Sequence, residues 1–163
     1  MPFFKNSTNL FAKAALGGWE LSAIGTMESG LAMNVSLGGT YGNNGIPGST
    51  NRPDVVAGLT YPGTVAQWFS PSTFAAPAPG TWGDAGKGLL RGPGRDVWDV
   101  SLFKRFAFNE AGTRDIEFRF ESFNTFNHTQ FNNVDTTFTN GNFGQVTSVW
   151  DPRVLQLALK LHF

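Results

Sequence analysis

Strict alternation over residues 155–163 constrains this chain more than any other feature. Leu155, Leu157, Leu159, Leu161 and Phe163 take the odd positions, and Gln156, Ala158, Lys160 and His162 take the even ones. A period of two is the period of a β-strand, so the segment reads as a strand with one apolar and one polar face. Ending such a strand on an aromatic residue is unusual for a soluble protein, whose last residues commonly fray.

The same design recurs upstream. Between Val97 and Phe108, Trp98, Val100, Leu102, Phe106 and Phe108 share one face, with Lys104 as its exception, and Asp99, Ser101, Phe103 and Arg105 share the other. Ile116, Phe118 and Phe120 alternate with Glu117, Arg119 and Glu121. Trp19, Leu21, Ala23 and Met27 alternate with Glu20, Ser22, Thr26 and Glu28, and Ile24 falls on the polar side. These segments predict an all-β fold of antiparallel up-and-down strands.

Their connections are unequal. Residues 109–113 contain Ala-Gly and form a short hairpin turn, whereas residues 31–95 and 128–151 are long. Long structureless loops count against a compact soluble domain. Outer-membrane barrels combine short periplasmic turns with long extracellular loops. The expected organisation is therefore a partial transmembrane barrel of about four to five strands, counted from its alternating segments. Residues 1–15 hold the end of a preceding strand and a periplasmic turn, 16–30 a strand, and 31–95 a long extracellular loop. Residues 96–127 form a β-hairpin, 128–151 a second extracellular loop, and 152–163 the terminal strand. On this reading Trp98, Val100, Leu102, Phe106, Ile116, Phe118, Phe120, Leu155, Leu157, Leu159 and Leu161 face lipid. Asp99, Arg105, Glu117, Arg119, Glu121 and Lys160 face the lumen. Lys104 is expected to snorkel toward the periplasmic headgroups.

Composition agrees. Twelve basic and twelve acidic residues cancel, which leaves no basic stripe for nucleic acid. The charged fraction is 15%, below the roughly 25% of ordinary soluble domains, while Phe (16) and Gly (20) are plentiful. Absence of cysteine removes disulfides and thiolate zinc sites. No run of ~18 apolar residues could form a spanning helix, and a strand needs none. The opening residues lack the basic and apolar regions of a secretory signal, which an outer-membrane protein needs, so the start of a longer parent is expected to be missing.

The first long loop is punctuated by Asn44-Gly45, Pro47-Gly48, Pro62-Gly63, Pro79-Gly80 and Pro93-Gly94, all turn-forming pairs. Its Trp68, Phe69, Phe74 and Trp82 are expected to pack the loop on itself, and Trp68 and Trp82 are candidate ligand contacts. No helix is expected.

Catalytic and metal signals are weak. His128 and His162 are the only histidines, and a zinc site would need carboxylates from distant segments. Residues 83–88 fail as a phosphate loop, because position 81 is Thr and position 88 is Gly. Glu117, Arg119 and Glu121 read as a wetted barrel wall, with Arg105 opposite Glu117 across the hairpin. No enzyme, cofactor or metal is expected.

Several stretches carry a resemblance. They are Leu16-Gly-Gly-Trp-Glu-Leu-Ser-Ala-Ile-Gly (16–25), Asn51-Arg-Pro-Asp (51–54), Trp68-Phe-Ser-Pro-Ser-Thr-Phe (68–74) and Leu90-Arg-Gly-Pro-Gly (90–94). Phe120-Glu-Ser-Phe-Asn-Thr-Phe-Asn-His-Thr (120–129), the most specific, and Asp151-Pro-Arg-Val-Leu-Gln-Leu-Ala-Leu-Lys (151–160) complete the set. Together they resemble the C-terminal barrel of TonB-dependent outer-membrane receptors with a carboxypeptidase-regulatory-like domain. The resemblance implies a Gram-negative outer-membrane location, a barrel of about twenty-two strands around a plug, and energised uptake of a large ligand. It also implies that Phe163 belongs to an insertion signal read by the barrel-assembly machinery. The implied partners are membrane lipid, the remaining barrel and the plug. Two other readings compete: a soluble all-β carbohydrate-binding module with Trp68 and Trp82 stacking on sugars, and a structural protein assembling into filaments or tubes through open strand edges.

Overall fold

The computed structural model of the chain describes residues 16–38, 45–46, 49–108 and 114–163. The turn expected at 109–113 and the strand end expected in 1–15 lie outside these residues. The chain divides into two compact units, one holding the long strands and the other formed by Glu28–Arg95 and Thr129–Trp150.

Among the described residues, four long strands make the first unit: β1 (Trp19–Glu28), β6 (Arg95–Ala107), β7 (Asp115–Phe123) and β8 (Val154–His162). They lie in the order β1-β6-β7-β8, so each long strand neighbours the next one along the chain, as in an up-and-down meander. The β6–β7 and β7–β8 pairs are antiparallel. Among the described residues the sheet is open, with β1 and β8 at its edges, because four strands are too few to curl round and meet.

Register explains why alternation was so legible. Leu102 pairs with Phe120, which pairs with Leu157, and Phe106, Ile116 and Leu161 form another row. Arg105, Glu117 and Lys160 form a row on the opposite face. β1 joins the same pattern, with the Trp19 ring edge-on to Phe118 at 5.9 Å. Further along β1, the Trp98 ring lies across Gly25, where an added Cβ would stand 3.0 Å from it.

The second unit carries the short strands β2 (Ala32–Met33), β3 (Asp54–Val55), β4 (Phe74–Ala75) and β5 (Leu90–Arg91), paired β2 with β5 and β3 with β4. A 3-10 turn at Pro71–Thr73 has Pro in its first turn, and proline's fixed φ suits that position. The core is Val35, Phe69, Phe74, Ala85, Leu90, Val134 and Phe143. Phe69, Phe74 and Phe143 meet edge to face at 5.2–5.9 Å, geometry that the ring quadrupole favours.

Phe69 and Phe74 do pack inward, but the first loop does not pack on itself alone. Val134, Phe138, Phe143 and Val146 of the second long segment complete the same core, because the first loop's apolar residues are too few to enclose one another. Trp82 stays outside, 57% exposed.

Asn51 organises the stretch beside this core. Its Oδ1 accepts from the Arg52 and Gly83 amides at 2.8 and 3.1 Å, and its Nδ2 donates to the Thr81 carbonyl at 3.1 Å. The two backbones run so close that a Cβ at Gly83 would run into the Arg52 carbonyl.

Candidate functional site

The candidate site is the sheet itself, whose faces differ in chemistry. Because a strand turns neighbouring side chains to opposite sides, the register sorts the residues without reference to exposure. Val100, Leu102, Phe106, Ile116, Phe118, Phe120, Leu155, Leu157, Leu159 and Leu161 fall on one face, and Trp98 continues it along β6. On β8 the four leucines are exposed, with Leu159 at 74%. Ser122 is a polar member of this face, buried between Val100 and Leu155.

Lys104 corrects an expectation. It does not reach out along the surface; its residue is 3% exposed. The ammonium lies 5.0 Å from the centre of the Trp19 ring and 4.9 Å from that of Phe106. Ring quadrupoles attract a cation held over their faces, so the aromatic neighbours hold the charge where a headgroup was expected to. Lys104 pairs with Phe118, and the Phe106–Ile116 row separates it from the hairpin end.

The opposite face is polar and partly ionised. Glu117 sits between Arg105 and Arg119, receiving Arg105 Nε at 2.9 Å on Oε2 and Arg119 Nε at 2.7 Å on Oε1. Its side chain is 7% exposed, against 68% and 47% for the two arginines. The carboxylate is thus sheltered by partners that remain wet. Arg119 also lies 5.1 Å over the Phe103 ring. These residues, with Gly18, Glu20 and Lys104, line an open hollow of about 420 Å³. Further along, His162 Nδ1 meets Asp115 Oδ1 at 2.6 Å. Glu121 faces Ser101 and Gln156 on the same side. Among the described residues no group of three His, Cys, Asp or Glu side chains could hold a metal ion.

Two sequence candidates have specific structural duties. Asp99 accepts the Asn124 amide at 2.9 Å, so it ties down a strand end. Trp68 donates its indole N–H to the Arg91 carbonyl at 2.8 Å and packs edge-on to Phe131, which leaves Trp82 as the exposed member of that pair. Phe163, just beyond β8, is 97% exposed.

Roles that the sequence reading did not assign are those of Trp19, which covers Lys104, and of Asn124 and Asn127 within the 120–129 motif, with φ of 49° and 52°. The signal for the asparagines was available, since asparagine tolerates the left-handed region better than most residues.

In a comparison with known families, the model of a family described as an outer membrane beta barrel domain aligns with residues 1–156. No curated protein and no solved structure matches.

Proposed function

The chain belongs to the outer membrane β-barrel domain family, and on that premise we propose that it is a barrel segment of a TonB-dependent receptor in a Gram-negative outer membrane. In this reading β1, β6, β7 and β8 supply wall, and residues 31–95 and 128–151 supply extracellular loops. The segment is non-enzymatic, and energised uptake of a large ligand belongs to the whole receptor. One observation carries the wall assignment: a single register puts the apolar side chains of β6, β7 and β8 on one face and Arg105, Glu117, Arg119 and Lys160 on the other. The receptor type is supported by the resemblance of residues 16–25, 51–54, 120–129 and 151–160.

Lipid is the natural partner of the first face, water and the plug of the second. The outer edges of β1 and β8, unpaired among the described residues, pair with the remaining strands of the receptor, since an open edge in hydrocarbon leaves backbone groups without partners. Phe163 serves the assembly machinery.

Labels at Leu157→Cys and Lys160→Cys in the bilayer-folded chain test the faces. The first should be quenched from lipid and the second from water; equal aqueous quenching at both would overturn the wall assignment. Retention of the parent protein on immobilised TonB tests the receptor type, and its loss would leave the barrel standing without that identity. Deleting Phe163 in the parent should lower its surface level while leaving the folded structure unchanged. Equal surface levels of truncated and intact parent would remove the insertion role.

A further inference from the structure

Residues 129–150 leave the strand unit after His128 and rejoin it at Asp151, and Asn124 spans both ends of that excursion. Its Nδ2 donates to the His128 carbonyl at 3.1 Å and to the Asp151 carbonyl at 3.3 Å. Its Oδ1 accepts from the His128 amide at 3.2 Å. Its own amide donates to Asp99 at 2.9 Å, and its carbonyl accepts from the Asn127 amide at 2.8 Å. Asn124 is 7% exposed, and every polar group it owns is engaged. Asn127 extends the arrangement, its Oδ1 accepting from the Arg153 amide at 3.1 Å. The Thr125 amide donates to the Trp98 carbonyl at 2.7 Å. One tight turn therefore touches β6 through Trp98 and Asp99, closes β7, and holds the residues that lead into β8.

β8 needs such a device. A one-residue slip would carry all its leucines to the polar face, and that error is strongly opposed wherever the faces differ. A two-residue slip is another matter. Leu155, Leu157, Leu159 and Leu161 are identical, so the slip replaces leucine by leucine opposite Phe118 and Phe120 and keeps both faces intact. The apolar pattern that builds the strand is nearly blind to this error. At the hairpin end, His162 on Asp115 and Lys160 opposite Glu117 would be displaced, but Arg105 and Arg119 already satisfy Glu117.

We propose that the turn centred on Asn124, anchored by Asp99, is a register clamp that fixes where β8 begins and so which leucine meets which residue of β7. The loop unit and the His162–Asp115 contact do not set the register. The clamp stands whether or not the barrel belongs to a TonB-dependent receptor.

The native chain has no cysteine, so disulfide reporters can be read cleanly in the full chain folded into phosphatidylcholine vesicles. Phe120→Cys with Leu157→Cys reports the native register, and Phe120→Cys with Leu159→Cys reports the two-residue slip. In the unaltered background the first pair should bridge and the second should not. Asp99→Ala and Asn124→Gly should raise the slipped product roughly five- to thirty-fold, the shift that follows from losing one or two kcal/mol. Asp99→Asn, which keeps an oxygen for the Asn124 amide, should restore the native product. Phe69→Ala, which loosens the loop unit, and His162→Ala should leave the native register in place. If Asn124→Gly fails to fold, Asp99→Ala still decides, since it removes a single acceptor. Native bridging unchanged in Asp99→Ala would overturn the clamp, as would slippage in Phe69→Ala or His162→Ala.

Discussion

Phe69, Leu90, Val35 and Phe143 are buried in the loop unit, while the buried side chains of the sheet include Lys104, Glu117 and Ser122. Leu157, Leu159 and Leu161 of the sheet are meanwhile exposed. The loop unit follows the rule of proteins in water, with apolar groups inside and edge-to-face aromatics at the centre. The sheet inverts that rule. The difference teaches that one chain holds together in two ways: a hydrophobic core in the loop unit, and hydrogen bonds with paired charges in the sheet, as suits the proposed barrel wall, where apolar surface need not be hidden.

The largest test of this contrast lies at Phe69. Phe69→Ala should destabilise the loop unit by about 3–5 kcal/mol, as large-to-small changes in tight cores do. Hydrogen exchange should show protection lost over 31–95 and 129–150 and kept over β6 and β7. Loss spread evenly through both units would mean that they share one source of stability.

Leu159→Arg probes the apolar face of the sheet. On the proposed wall assignment, a charge there costs about 2–4 kcal/mol near the bilayer midplane and about 0–1 near its edges. Unfolding in lipid should register that cost, and the size of the effect would also give the depth of the Leu159 row.

A smaller effect is expected at Trp19. Trp19→Ala uncovers Lys104 and should lose up to about 2 kcal/mol, the upper range for a cation over a ring away from water. Lys104→Met should remove much of that penalty. A double-mutant cycle measuring no coupling would show that Trp19 packs against Phe118 and does nothing for the charge.

Smallest of all is the Arg105–Glu117 pair. A cycle over Arg105→Ala and Glu117→Gln should give about 0.2–1 kcal/mol, the range for opposite charges facing across strands, and the value should shrink as salt is added. Coupling that ignores salt would place the pair in a drier setting than the exposure of Arg105 indicates.

The sheet was legible in the sequence because a strand writes its two faces in alternate letters. Leu155 to Leu161 and the Ile116–Glu121 stretch needed only a period of two, and Arg105 opposite Glu117 followed from a short turn. Trp19 over Lys104 was not legible. The contact joins residues from separate strands, so the lysine looked like a stray charge bound for the headgroups. The loop unit was also hidden, since Phe69 and Phe143 meet through tertiary packing that has no period. The same holds for Asn124: its motif stood out by resemblance, but a left-handed backbone and a side chain spanning two carbonyls leave no repeating trace.

The way Asn124 joins His128 to Asp151 bears on how freely the segment between them can diverge. Once the two ends of a loop are held together, lengthening it adds only the logarithmic entropy of a longer closed chain, about 0.6 kcal/mol for each doubling. Extra residues near the exposed tip at Asn140–Asn142, where a side chain on Gly141 would meet open space, would therefore barely be felt at the neck. The segment between His128 and Asp151 can change in length and sequence while the strands on either side of its neck stay in step.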